Sequence, residues 1–136
     1  MEKLAELVKR SGVLAFALTD HDTFDGWSRA QTAAHQLGLK TISGIEISTS
    51  YHSQSLHILG YNCDPNDQKL SSALKTLKDA RRQRIVVICE QLKRKGVYLE
   101  AEAVFALANN SVPGRPHVAQ ALVKKGLALC SCDIVK

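Results

Sequence analysis

The sequence predicts an α/β fold that gives way to an all-helical region, and three observations carry that reading. Residues 13–18, Val-Leu-Ala-Phe-Ala-Leu, are six consecutive apolar positions, as expected of a strand buried in a parallel sheet covered on both faces. Strand-like and helix-like patterns then alternate as far as residue 62, which argues for parallel pairing. After the turn and helix-start signal Asp64-Pro65-Asn66-Asp67 the pattern becomes wholly helical.

In chain order, a helix is predicted over 2–10, a strand over 13–19, a helix over 26–37 and strands over 40–48 and 55–62. Gly38 closes the second helix as its C-terminal stop. Leu70, Leu74, Leu77, Arg81, Ile85, Ile88 and Leu92 recur at alternating three- and four-residue steps, one face of a long helix ending at Gly96. Helices over 100–109 and 115–125 follow, with Gly126 as the last stop. Two regions are therefore expected, 1–68 and 69–136.

Charge separates the same two regions. Residues 1–68 carry five Lys and Arg against eight Asp and Glu, whereas residues 69–136 carry thirteen against five. An acidic half that holds cations and a basic half that grips an anion would produce this pattern; for most single lysines, solvated surface is the simpler account. An apolar content of 45% over 136 residues supports a core. No apolar run approaches the ~18 residues a bilayer span needs, and the charged start Met1-Glu2-Lys3 is not a secretory signal. No membrane partner and a cytoplasmic location are expected. Cys63, Cys89, Cys130 and Cys132 show no CxxC pairing, and Cys130 and Cys132 are too close for an unstrained bridge, so free thiols are the expectation.

Chemistry concentrates where the first apolar run ends, at Thr19-Asp20-His21-Asp22-Thr23. Open α/β folds place ligands at the C-terminal ends of such strands. His21 is a candidate metal ligand, with Asp20 or Asp22 near enough to orient it or share the ion. Glu46 lies between Ile45 and Ile47, and His57 between Leu56 and Ile58. Each has a plain alternative: a hydrogen-bonded core histidine, or an edge-strand carboxylate facing water. One metal site accounts for all three together.

The basic half offers an anion site. Arg81 interrupts the apolar stripe of the long helix, either snorkelling to the surface or presenting its planar fork to a phosphate, with Arg82 and Arg84 on neighbouring faces. In Ser111-Val-Pro-Gly-Arg-Pro-His117, free amides at a helix start together with Arg115 and His117 would form an anion-binding corner. A simple loop and helix cap is the alternative.

TDHDTFDG at 19–26, SGIEIS at 43–48 and HILGY at 57–61, in that order and at those spacings, closely resemble the polymerase-and-histidinol-phosphatase (PHP) family of metal-dependent phosphoesterases. The nearest likeness is to the bacterial subgroup that cleaves nucleotide 3',5'-bisphosphates and trims short RNA from its 5' end. The resemblance covers Leu4 to about Gly126 and implies part of a distorted (β/α) barrel carrying a helical insertion. It also implies up to three divalent ions, Mn²⁺ first with Mg²⁺, Zn²⁺ or Fe²⁺ as alternatives. By resemblance Glu46 bridges two ions, His57 binds one of them and His21 a third, while Asp20 and Asp22 support catalysis around them. In that subgroup an Arg followed two positions later by a His faces the substrate, which favours Arg115 and His117 for phosphate binding, then Arg81, with Lys124 behind.

The family opens on an H-x-H strand and closes on further ligands, a His and a D-x-H; this sequence has no H-x-H. An internal piece of a larger enzyme, inactive by itself and prone to self-association through exposed sheet edges, is therefore expected. Two other readings stay open. One is a non-catalytic nucleic-acid-binding module, against which the few aromatics in the basic half speak. The other is a PHP phosphatase of different specificity, such as for histidinol phosphate.

Overall fold

A computed structural model of the chain describes residues 1–52, 54–109 and 111–129. The elements run α1 (Glu2–Arg10), β1 (Ala15–Leu18), α2 (Trp27–Gln36), β2 (Lys40–Tyr51), β3 (Gln54–Tyr61), α3 (Gln68–Arg94), α4 (Ala101–Ala108) and α5 (Arg115–Lys124). This is a mixed α/β fold. The chain divides into two units, Met1–Leu74 and Lys75–Lys136.

In the first unit the sheet order is β1-β2-β3. β1 and β2 are parallel, from Ala15 opposite Lys40 to Leu18 opposite Ser43, with α2 as the crossover. β2 and β3 are antiparallel, from Gly44 opposite Tyr61 to Tyr51 opposite Gln54. The expected all-parallel sheet is thus corrected. Only two residues separate β2 from β3, too few for a crossover, so the pair must close as a hairpin. Hairpin pairing also carries β2 to Tyr51, three residues past its predicted end.

Burial on both faces is corrected as well. No residue of β1 is fully buried, and Leu14 just before it is 82% exposed. β1 lies at one edge of the sheet, and an apolar run becomes buried only where other elements cover it. The described strands form an open sheet and close no barrel.

Small residues let the helices of this unit approach. Ala5 of α1 with Ala33 and Ala34 of α2 form a core with Leu39, against which Met1, Val8, Phe16 and Leu37 pack. Gly38, at φ +67°, ends α2 and allows the Leu39 N–H to reach back to the Ala34 carbonyl at 2.9 Å. That left-handed turn is costly for residues with a Cβ, and it aims the chain directly into β2.

α3 begins where the Asp67 carboxylate accepts the Leu70 N–H at 2.7 Å, an N-cap contact. In the second unit its apolar stripe supplies Ile85 and Cys89 to a core with Leu99, Ala101, Val104, Val118, Ala121 and Leu122. Burial pushes the Cys89 thiol pKa up, and Glu100 and Glu102 add to the shift. Cys63 and Cys89 are free thiols; Cys130 and Cys132 lie outside the described residues. No described helix is long and apolar enough to cross a membrane.

Candidate metal centre

Strand register alone brings the three sequence-predicted ligands together. The β1–β2 ladder holds an offset of 25 residues, lapses after Leu18, and resumes as a parallel bridge between His21 and Glu46 at the same offset. The Glu46 N–H donates to the Asp20 carbonyl at 3.1 Å, and the Asp22 N–H donates to the Glu46 carbonyl at 3.0 Å. On the other side of β2, Leu59 stands opposite Glu46 and His57 opposite Ser48. His57 is therefore the diagonal neighbour of Glu46 on one sheet face, within side-chain reach. Glu46 occupies the central strand with one histidine on each flank.

Gly44 makes the close approach possible. A Cβ there would lie 2.8 Å from Thr19 Cγ2 and 2.9 Å from the Leu18 carbonyl oxygen. A glycine inside a strand pattern signals such an approach, and the sequence reading passed over it.

Each oxygen of Glu46 faces a different imidazole. Oε1 lies 2.7 Å from His57 Nδ1, and Oε2 lies 3.6 Å from His21 Nε2. The two rings stand edge to face with centroids 4.7 Å apart. One ligand atom from each residue can be chosen so that all lie within 4.8 Å of one another. Ligands sharing one ion at about 2.0–2.2 Å lie within about 4.4 Å of each other, so a slight contraction suffices. Two imidazoles and a carboxylate suit zinc, manganese or iron. His21 Nδ1 is buried and has no hydrogen-bond partner among the described residues; it is Nε2, not this atom, that faces Glu46. These residues fit a divalent ion.

Asp20 and Asp22 do not join this ligand group. Asp20 is exposed and meets Glu46 through its main chain. Asp22 is fully buried, and its Oδ1 accepts the Ser48 N–H at 2.7 Å. Nothing in the sequence pattern marks Ser48 for that role.

The phosphate candidates belong to the second unit. Arg81 Nη1 lies 4.0 Å from where a Cβ of Gly114 would sit, so α3 presents it beside the start of α5. Arg115 is exposed there. His117 caps its own helix, since its Nδ1 accepts the Gly114 N–H at 3.1 Å. The expected row of free amides is much reduced. Pro116 has no N–H, the Gly114 amide is taken by His117, and the His117 and Val118 amides point to the Gly114 carbonyl. Lys124, in the last turn of α5, is about 13 Å of helix away from Arg115. Arg82 stacks on Phe105, 4.1 Å from its ring centroid.

An α/β unit with a His–Glu–His cluster on the central strand of its sheet belongs among metal-site folds, and the comparisons place it within one of them. The chain is a member of the PHP domain family, whose profile matches residues 1–110. It is 38% identical to the 5'-3' exoribonuclease of Haemophilus influenzae over 124 residues, 89% of this chain and 45% of that protein. It is 30% identical to the 3',5'-nucleoside bisphosphate phosphatase of Chromobacterium violaceum over 125 residues, 89% of this chain and 44% of that protein. A crystal structure assigned to a metal-dependent phosphoesterase from Bifidobacterium adolescentis superposes with a TM-score of 0.86 at 30% identity, over 97% of this chain and 47% of that one. The chain spans a little under half the length of the relatives it matches.

Proposed function

We propose that this chain supplies the His21–Glu46–His57 part of a metal-dependent phosphoesterase acting on nucleotide 3',5'-bisphosphates or on the 5' ends of short RNA. The observation that carries the reading is the placement of Glu46 between two histidines, with one carboxylate oxygen turned to each. That divergence suits a carboxylate shared by two cations. Membership of the PHP family and the names of the relatives support it. On this reading the three strands form part of a distorted (β/α) barrel.

Divalent ions, Mn²⁺ first, would lower the pKa of a coordinated water and neutralise charge on the phosphoryl oxygens. The chain's own residues hold and orient. His57 and His21 fix the two oxygens of Glu46, and Arg115 offers a charge-assisted contact to the second phosphate. With Nδ1 of His117 accepting from Gly114, a neutral ring carries its proton on Nε2 and can donate it to a phosphate oxygen. Arg81 adds charge beside the same helix start. On this reading three residues must serve up to three ions, so each ion is held weakly and the chain by itself turns over little or no substrate. The open sheet, with Leu56 and Ile58 of β3 exposed, favours self-association. The setting is cytoplasmic.

The test is a Mn²⁺ titration of the purified chain followed by the electron paramagnetic resonance of free Mn²⁺, beside its Glu46→Gln variant. Hydrolysis of adenosine 3',5'-bisphosphate is measured in excess Mn²⁺. Weak binding that Glu46→Gln abolishes, with negligible turnover, is expected. Binding indifferent to Glu46 removes the metal centre. Robust turnover abolished by Glu46→Gln overturns the inactivity of the chain alone.

A further inference from the structure

We propose that Asp22 is the positioning residue of the metal centre: its carboxylate stands in for its own main-chain carbonyl in the β2 ladder and so holds His21 against Glu46. The inference rests on the metal-centre reading above. In a parallel pair the hydrogen bonds run as an evenly spaced slanted series. Two bonds of that series are present here, Glu46 N–H to the Asp20 carbonyl and Asp22 N–H to the Glu46 carbonyl. The next in the series would join the Ser48 N–H to the Asp22 carbonyl. Asp22 instead adopts φ +55°, a left-handed turn that takes the chain out of the sheet. The Ser48 N–H is met by Asp22 Oδ1 at 2.7 Å. The backbone leaves, and the side chain keeps the bond.

Aspartate suits both demands. Its short side chain places an oxygen near the position of a main-chain carbonyl, and Asp and Asn are the non-glycine residues that most readily take left-handed backbone angles. Full burial keeps water from competing for the Ser48 amide. The bond closes the ladder just beyond Glu46, so His21 is held by the Asp20 carbonyl bond on one side and by both Asp22 bonds, main-chain N–H to Glu46 and carboxylate to Ser48, on the other. Asparagine keeps the same acceptor oxygen without the charge. A role in geometry therefore tolerates Asp22→Asn and fails with Asp22→Ala, whereas a role as ligand or base loses with both.

Amide hydrogen exchange at Glu46 and Ser48 in the metal-free chain, and Co²⁺ affinity from the visible absorption of the bound ion, separate these cases. Expected for Asp22→Ala is a Ser48 amide exchanging about tenfold faster and Co²⁺ affinity down about ten- to hundredfold. Asp22→Asn should hold both within about threefold of the parent. Unchanged Ser48 exchange in Asp22→Ala overturns the proposal, as does an Asp22→Asn variant as impaired as Asp22→Ala. If Asp22→Ala does not fold, Asp22→Asn decides: retained exchange and affinity support the proposal, and loss of either overturns it. A parent chain that binds no Co²⁺ removes the metal reading. Exchange at Glu46 and Ser48 then still shows whether Asp22 holds the two segments in register.

Discussion

Replacing Gly44 with alanine puts a methyl carbon where three neighbours already stand close. It would lie 2.8 Å from Thr19 Cγ2, 2.9 Å from the Leu18 carbonyl oxygen and 3.2 Å from Ala17 Cβ. The threonine methyl can turn aside, but the carbonyl belongs to the backbone of β1 and moves only if the strand moves. Overpacking of this kind costs about 1–3 kcal/mol, a fall of roughly 3–12 °C in melting temperature for a chain of this size. Glu46 is two residues on from Gly44, and His21 is two on from Thr19, so the wedge opens the same gap that the metal ligands span. The hairpin that joins Glu46 to His57 lies on the other side of β2 and is left intact. Thermal melting and Mn²⁺ titration of Gly44→Ala should thus show lost stability together with weakened metal binding. Adding Thr19→Ser, which removes Cγ2 but not the carbonyl, should restore only part of each. A variant that melts within a degree of the parent and binds Mn²⁺ equally well would refute the close-approach reasoning.

Because burial and the nearby Glu100 and Glu102 raise the Cys89 pKa, this thiol forms less thiolate at a given pH than an ordinary one. Iodoacetamide at pH 8 should modify Cys63 before Cys89, as read by peptide mass spectrometry, and unfolding should abolish the difference. A folded pKa above the unfolded one also means that the contribution of Cys89 to stability is full below the ordinary thiol pKa and declines as pH rises past it. Asp67→Ala removes the carboxylate that accepts the Leu70 N–H at 2.7 Å, and should cost about 1 kcal/mol in urea unfolding. Arg115→Ala should weaken binding of adenosine 3',5'-bisphosphate about ten- to hundredfold and of adenosine 5'-monophosphate far less, measured calorimetrically with Mn²⁺ present. An equal loss for both ligands would remove the assigned contact.

Helices were legible in the sequence because their signals are local. Gly38 and Gly96 close α2 and α3 where the spacing indicated, within two residues. Strand pairing was less so, since an apolar run at 13–18 reports a tendency to be covered and not what covers it. The hairpin was available in principle: even the six residues between the predicted strands 40–48 and 55–62 are too few for a crossover, but the strand–helix alternation before them pointed to parallel pairing. For the site, His21, Glu46 and His57 stood out as charged or polar groups in apolar strands. What the sequence could not convey was the direction of the Asp22 carboxylate. Seen in the linear text it neighbours His21, and only the turn at Asp22 sends it to Ser48. His117 is a similar case, because its Nδ1 serves the helix start.

The placement of Glu46 between a hairpin partner and a crossover partner gives the two flanks of the centre different histories during folding. Glu46 and His57 are 11 residues apart and meet as a hairpin closes, an event of about 1–10 μs. His21 is 25 residues from Glu46 and arrives only after α2 has formed and β1 has docked alongside β2. The longer closure costs only about 0.7 kcal/mol more in chain entropy, so the delay comes from the need to build the crossover before pairing can begin. A chain caught midway would already present a carboxylate and an imidazole to passing ions. Metal added during refolding can therefore capture the hairpin first and bias the order in which the rest of the sheet assembles.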